Sequence, residues 1–277
     1  MSHKCGATCK RKTGEPCATC RRPRTEIQLD APPKAKSKHP HATPRQVGAG
    51  VDMYFDGLSY RRVAENMGEH FGRKTNAATV LRWVQEATKR AKDVVEATKV
   101  DTGPEWVADE LAVKVGGRQY WLFNVMDAKS RFILAAYLSP ERTTRAAATV
   151  LSLARERSEN PPKEIKTDGL KSYQEAVRSA FRVHPVKHVV SEGIRSRINN
   201  NLSERLQGTF RDRDKTLRAL KTRDSGQTYI DGLVLNYNYF RPHKGIKGKR
   251  PAQAAGAVIP FESWTDVANL EVEGDGE

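Results

Sequence analysis

Residues 106–139 read "WVADELAVKVGGRQYWLFNVMDAKSRFILAAYLS", and this stretch decides the fold. Three runs rich in β-branched and aromatic residues, at 106–115, 118–127 and 130–139, predict three strands. Gly116 and Gly117 separate the first two, the pair that a tight hairpin turn favours. Downstream, helical periodicity in "ERTTRAAATVLSLARERSE" gives way to a short strand in "KEIKTD" and a helix over "LKSYQEAVRSAF". A strand around "PVKHVV" and two helices, from about 200 to 222 and 225 to 240, complete the order βββαβαβαα. That order predicts an α/β domain, a mixed sheet flanked by helices.

Three acids stand out by position in this order. Asp109 lies inside the first strand among Trp106, Val107, Leu111 and Val113, Asp168 ends the fourth and precedes Gly169, and Glu204 opens a late helix. A carboxylate within a central strand is disfavoured by propensity, so it marks a functional site or a buried pair. Acids on neighbouring strand ends and a facing helix would form an oxygen-donor site for Mg²⁺ or Mn²⁺, suited to phosphoryl transfer with two ions. Each acid also has an ordinary reading. Asp109 could be an edge-strand polar group, Asp168 a turn residue, and Glu204 a first-turn acid stabilised by the helix dipole. Asp127 in "VMDAKSR" competes for the first position, although an aspartate that starts a loop is commonly a turn residue.

Upstream, Val47, Val51, Tyr54 and Phe55 repeat at helical spacing, Gly57 breaks the helix, and Ser59 can cap a second one carrying Val63 and Met67. A third helix, opening near Thr75 or Asn76, is expected to bury Val80, Leu81 and Val84. Its basic surroundings, Lys74, Arg82, Lys89, Arg90 and Lys92, suggest a helix-turn-helix that places this helix in a DNA major groove. A plain three-helix bundle is the alternative.

At the N-terminus, Cys5, Cys9, Cys17 and Cys20 form C-x3-C-x7-C-x2-C, a zinc-knuckle-like spacing that could wrap Zn²⁺, with free thiols as the other possibility. All four cysteines fall in the first twenty residues, which excludes a disulfide framework for the main core. The expected organisation is a cysteine module at 1–24, a basic Pro-rich flexible linker at 25–44, the helix-turn-helix at 45–98, the α/β core at 104–256 and an acidic tail at 257–277.

The 277 residues carry a formal net charge of +15, and residues 261–277 contain six acids and no base, which leaves about +21 on the rest. Such an excess points to nucleic acid as a partner, against the alternative of an inert cationic surface. No apolar run reaches membrane-spanning length and the first residues lack a secretory apolar segment, so a soluble intracellular protein is expected.

Together, W-x2-D-E-x2-V-K-V-x-G from Trp106, M-D-x-x-S-R from Met126, T-D-G-L-x-S-Y from Thr167, N-x-x-E-R from Asn201 and N-Y-x-x-x-R-P-H from Asn236 resemble the DDE transposases of insertion sequences, in particular the IS6-like group. The resemblance spans roughly residues 45 to 256, and Leu111 and Ala112, where that group usually has a threonine and an aromatic, depart from it. It implies a ribonuclease H-like core in which Asp109, Asp168 and Glu204 hold two Mg²⁺ (or Mn²⁺) ions. It also implies binding to the terminal inverted repeats of an element, strand cleavage, and transfer to target DNA by a homodimer or larger assembly in the prokaryotic cytoplasm, at the nucleoid. Lys74, Arg82, Arg205, Arg211 and Lys215 are the expected DNA contacts, with Asn201 as a helix cap. A DNA-binding regulator with an inactive core, and a nuclease that cuts without joining, are the rival expectations.

Overall fold

In a computed structural model, residues 42–191, 201–212 and 220–270 are described. The cysteines, most of the linker, Lys215 and the last acids lie outside them. The described residues all belong to one compact unit, Lys34–Glu277.

Local chemistry sets the first three helices. In α1 (Pro44–Phe55), Thr43 and Gln46 form a reciprocal capping box and Pro44 takes the first turn, where its missing N–H costs nothing. Gly57, at φ 117°, turns the chain into α2 (Tyr60–Phe71), whose Ser59 cap accepts from the Arg62 N–H. The left-handed Gly72 ends α2, and Asn76 caps α3 (Ala77–Glu96) by accepting from the Thr79 N–H at 2.9 Å. Val47, Val51, Tyr54, Phe55, Val63 and Met67 are buried as expected.

Along α3 the buried face runs through Val80, Trp83, Val84, Ala87 and Ala91. Leu81, expected inside, is half-buried; it sits one position off the stripe, and Trp83 at the i+3 position fills the core instead. This helix is also long, at 20 residues, and its second half joins the core. Lys92 pairs with Asp231 at 2.8 Å, and Arg90 donates to the Ala268 carbonyl, so these two cations of the expected basic surface serve the fold. Lys74, Arg82 and Lys89 remain exposed.

Strands β1 (Glu105–Val115) and β2 (Arg118–Asp127) form an antiparallel hairpin that turns on Gly116 and Gly117, both at positive φ. Next come β3 (Ile133–Ser139), α4 (Thr144–Arg157), β4 (Glu164–Thr167), α5 (Lys171–Ala180) and β5 (Lys187–Val190). The sheet order is β3-β2-β1-β4-β5, with β3 antiparallel to β2 and with β4 and β5 parallel to the centre. This is the mixed, helix-flanked sheet expected, and it makes β1 the central strand.

After α6 (Asn201–Arg211), helix α7 (Arg223–Leu235) covers the free edge of β3. The Gln227 amide accepts from the Leu138 N–H and donates to the Ala136 carbonyl, while Asn238, in the π-helical turn that extends α7, does both for Ile133. Those bonds satisfy backbone groups that an open edge would offer to another strand.

The short helices α8 (Pro251–Ala254) and α9 (Trp264–Asn269) complete the unit. The segment expected to be an acidic tail from 257 is packed through Leu270: Phe261, Trp264, Val267 and Ala268 are buried, because their apolar side chains close over α1. The order of contact is tight at Gly232, where an added Cβ would lie 2.3 Å from Phe55 and 2.7 Å from the Thr88 hydroxyl. Gly232→Ala is therefore expected to destabilise the chain by about 1–3 kcal/mol, as a lowered urea midpoint. An unchanged midpoint would show that α1 and α7 are not held at this spacing.

Candidate metal centre

Parallel pairing of β1 with β4, with Val107 opposite Lys166, brings the end of β4 alongside Asp109. Asp168 follows β4 directly, at a turn formed by Gly169 at φ 92°, where it accepts from the Leu170 N–H. Asp109, Glu110 and Asp168 consequently each offer a carboxylate oxygen within 4.8 Å of one another. Asp109 and Glu110 are buried, while Asp168 is exposed.

Helix α6 closes over Asp109. The Ser203 hydroxyl and the Gln207 amide, one helical turn apart on one face, both donate to its Oδ2, and the Glu110 N–H donates to its Oδ1 at 2.8 Å. Arg211 in turn donates to the Gln207 side-chain oxygen at 3.2 Å. Glu110 presents Oε1 to Arg142, and its buried carboxylate also lies against the Tyr173 hydroxyl.

Burial pushes the Asp109 carboxyl above the usual carboxylate range; Asp168 adds to this, while the bonds from Ser203, Glu110 and Gln207 act against it. Glu110 is raised by burial too, with Arg142 opposing and Asp168 reinforcing. Converging carboxylates, two of them desolvated, are the chemistry of a hard divalent cation site, since a cation would relieve their mutual repulsion. The residues present fit such an ion.

Of the expected acids, Asp109 and Asp168 come together. Glu204 is exposed in the first turn of α6, one residue from Ser203, and lies outside the group. Arg205 and Arg211 are exposed on the same helix. Asp127 is fully buried, and its carboxylate accepts from the Gly103 and Ser130 N–H groups and the Ser130 hydroxyl, which makes it a structural turn residue. Glu110, Ser203, Gln207 and Arg142 escaped the sequence expectations. For Glu110 a signal existed in a second acid within an apolar strand; for the others none did.

No helix among the described residues is long and apolar enough to cross a membrane. The family model of the DDE domain, of the IS240 transposase type, matches residues 103–243. No curated protein matches the chain. Among solved structures, the HTLV-2 integrase catalytic core domain in complex with magnesium (trimeric form) is similar at 18% identity and a TM-score of 0.40, over 57% of this chain and 99% of that one. The catalytic core domain of BIV integrase is similar at 12% identity and a TM-score of 0.43, over 55% and 93%. The simian T-cell lymphotropic virus intasome, in complex with PP2A regulatory subunit B56 gamma, is similar at 13% identity and a TM-score of 0.43, over 76% and 75%.

Proposed function

The chain belongs to the DDE transposase family, with a ribonuclease H-like core, and from that premise we propose that it binds the ends of an insertion sequence and catalyses Mg²⁺-dependent strand cleavage and strand transfer. The observation that carries this is the convergence of Asp109 and Asp168, with Glu110 beside them, at the centre of the sheet. Asp109 and Asp168 would hold the ions together with Glu204. Glu204 stands next to Ser203, whose bond to Asp109 ties α6 to the centre.

Two bound Mg²⁺ ions supply neutralisation of charge on the attacking and leaving oxygens of a phosphodiester. The chain's own residues prepare that site. Ser203 and Gln207 fix the rotamer of Asp109, and the Gly169 turn follows Asp168 at the end of β4. Arg205 and Arg211, exposed on α6, hold phosphates of the approaching strand in this reading. Water first cuts at the element end, and the freed 3′-hydroxyl then attacks a target phosphodiester in line. Joining two ends to one target calls for a homodimer or larger assembly.

Helices α1 to α3 serve as the helix-turn-helix, with the exposed Lys74 and Arg82 toward terminal-repeat DNA. Cys5, Cys9, Cys17 and Cys20 bind Zn²⁺ in this reading, which elemental analysis tests, and Lys215 adds a phosphate contact. The protein works at the nucleoid of a prokaryotic cell.

The test is strand transfer of pre-cleaved end DNA with Mg²⁺. Wild type yields joined product, while Asp168→Asn and Glu204→Gln each lose activity by at least ~10²-fold and still bind the DNA. A wild type that binds ends but never cuts or joins them would be a regulator, and cut ends without joined species would mean a nuclease. Should Glu204→Gln keep full activity while Glu110→Gln loses it, the third acid is Glu110.

A further inference from the structure

Arg142 lies between β3 and α4, immediately before Thr143, the residue that caps α4. Its side chain folds back across the sheet. The guanidinium carbon sits 4.7 Å from the centre of the Trp121 ring on β2, and Nε and Nη2 both donate to Glu110 Oε1, the former at 2.9 Å. One face of the planar group is thus covered by an indole, and one edge by a carboxylate.

Neither contact uses Nη1, and the side chain remains 38% exposed, whereas that of Glu110 is 1% exposed. Partial exposure spares the guanidinium the cost of full desolvation and leaves it free to meet a second anion. The group keeps donors in solvent beside the acid centre, close enough that Asp168 contributes to its electrostatics. Two anchors on different strands have already removed most of its rotamer freedom, so engaging a further anion would order little more. The anion that must come to this centre in transposition is a DNA phosphate, and a guanidinium fork matches its oxygens.

We propose that Arg142 is a phosphate-binding residue that positions the DNA strand at the acid centre, and that Glu110 and Trp121 are the residues that aim it. The assignment deepens the transposase function and rests on it. Glu110 then has a task of its own, distinct from that of its neighbour Asp109: Asp109 faces α6, and Glu110 holds the cation that meets the strand.

Two measurements on the full chain test this. In EDTA, the salt dependence of binding to a pre-cleaved end duplex is compared for wild type, Arg142→Ala and Arg142→Lys. Losing one phosphate contact lowers the slope of log Kobs against log salt by about one for Arg142→Ala, and Arg142→Lys, which keeps the charge, restores it. In Mg²⁺, Arg142→Ala raises KM for the end DNA and lowers kcat about 10-fold or more, and Arg142→Lys recovers only part of this because a lysine cannot reproduce the fork. Glu110→Gln shifts KM in the same direction as Arg142→Ala.

A purely structural pair gives a different pattern, with a lowered urea midpoint for Arg142→Ala but a salt slope and KM equal to wild type; that result overturns the proposal. So do wild-type kcat and KM in Arg142→Lys, since the fork would then be irrelevant. If wild type itself joins no ends in Mg²⁺, the transposase function fails, while the slope measured in EDTA still reports on the phosphate contact.

Discussion

Asp109→Asn is expected to remove strand transfer by at least ~10²–10³-fold and, in the absence of metal, to gain stability relative to wild type as pH rises. The two effects have one origin. Burial and the nearby Asp168 hold the Asp109 carboxyl above its ordinary range, so the folded chain retains a proton that the unfolded chain releases. Any stability associated with that proton is present below the unfolded pKa and is lost as pH rises through the higher folded value. An asparagine carries no titrating charge and escapes the loss. Urea midpoints of both proteins in EDTA, followed upward in pH from the ordinary carboxylate range, should therefore diverge in favour of the variant. Asparagine offers one acceptor where aspartate offers two, so one bond among those from Ser203, Gln207 and the Glu110 N–H weakens, but that cost is independent of pH. Midpoints that keep a constant separation would show that Asp109 is not the strained charge.

Trp264→Ala carries the largest expected loss of stability, about 3–5 kcal/mol. The indole is 2% exposed, its ring centre lies 5.0 Å from that of Phe55 and 4.8 Å from that of Phe240, and its N–H donates to Asn236 at 3.0 Å. Removing it empties the junction where α9, α1 and the π-helical turn after α7 meet. Trp264→Phe keeps the stacking and loses chiefly the hydrogen bond, for about 1 kcal/mol. Chemical denaturation measures both. Were the segment after Pro260 a detachable tail, truncation there would leave the midpoint unchanged; the buried Trp264, Val267 and Ala268 predict a loss comparable to the alanine variant.

Legibility in the sequence tracked how local the physics was. The β1–β2 hairpin follows from two adjacent glycines that accept positive φ, and the starts of α2 and α3 follow from Ser59 and Asn76 reaching three residues ahead. Asp109 announced itself as a charge in an apolar strand. Arg142 meets Glu110 across 32 residues of chain, and Gln207 meets Asp109 across 98, so neither contact leaves a local mark. The same holds for the cover over β3, where Gln227 and Asn238 look like ordinary helix-surface amides until the edge they serve is in place. Charge misled at the C-terminus. Six acids among residues 261–277 read as an acidic tail, yet the apolar Trp264, Val267 and Ala268 within that segment are buried.

The path of α3 has an evolutionary corollary. Its first turns carry the exposed Arg82 and its last turns are bonded to α7 through Lys92 and Asp231, while α1 is closed off by α9 from the far end of the chain. A boundary drawn at residue 98 thus cuts through shared core. Exchange of binding specificity between relatives by swapping residues 45–98 would strand Asp231 and uncover Trp264, so a viable recombinant must inherit α3, the facing side of α7 and α9 together. Under the helix-turn-helix role proposed for α3, specificity is expected to diverge through point changes on its exposed turns rather than by shuffling of whole modules.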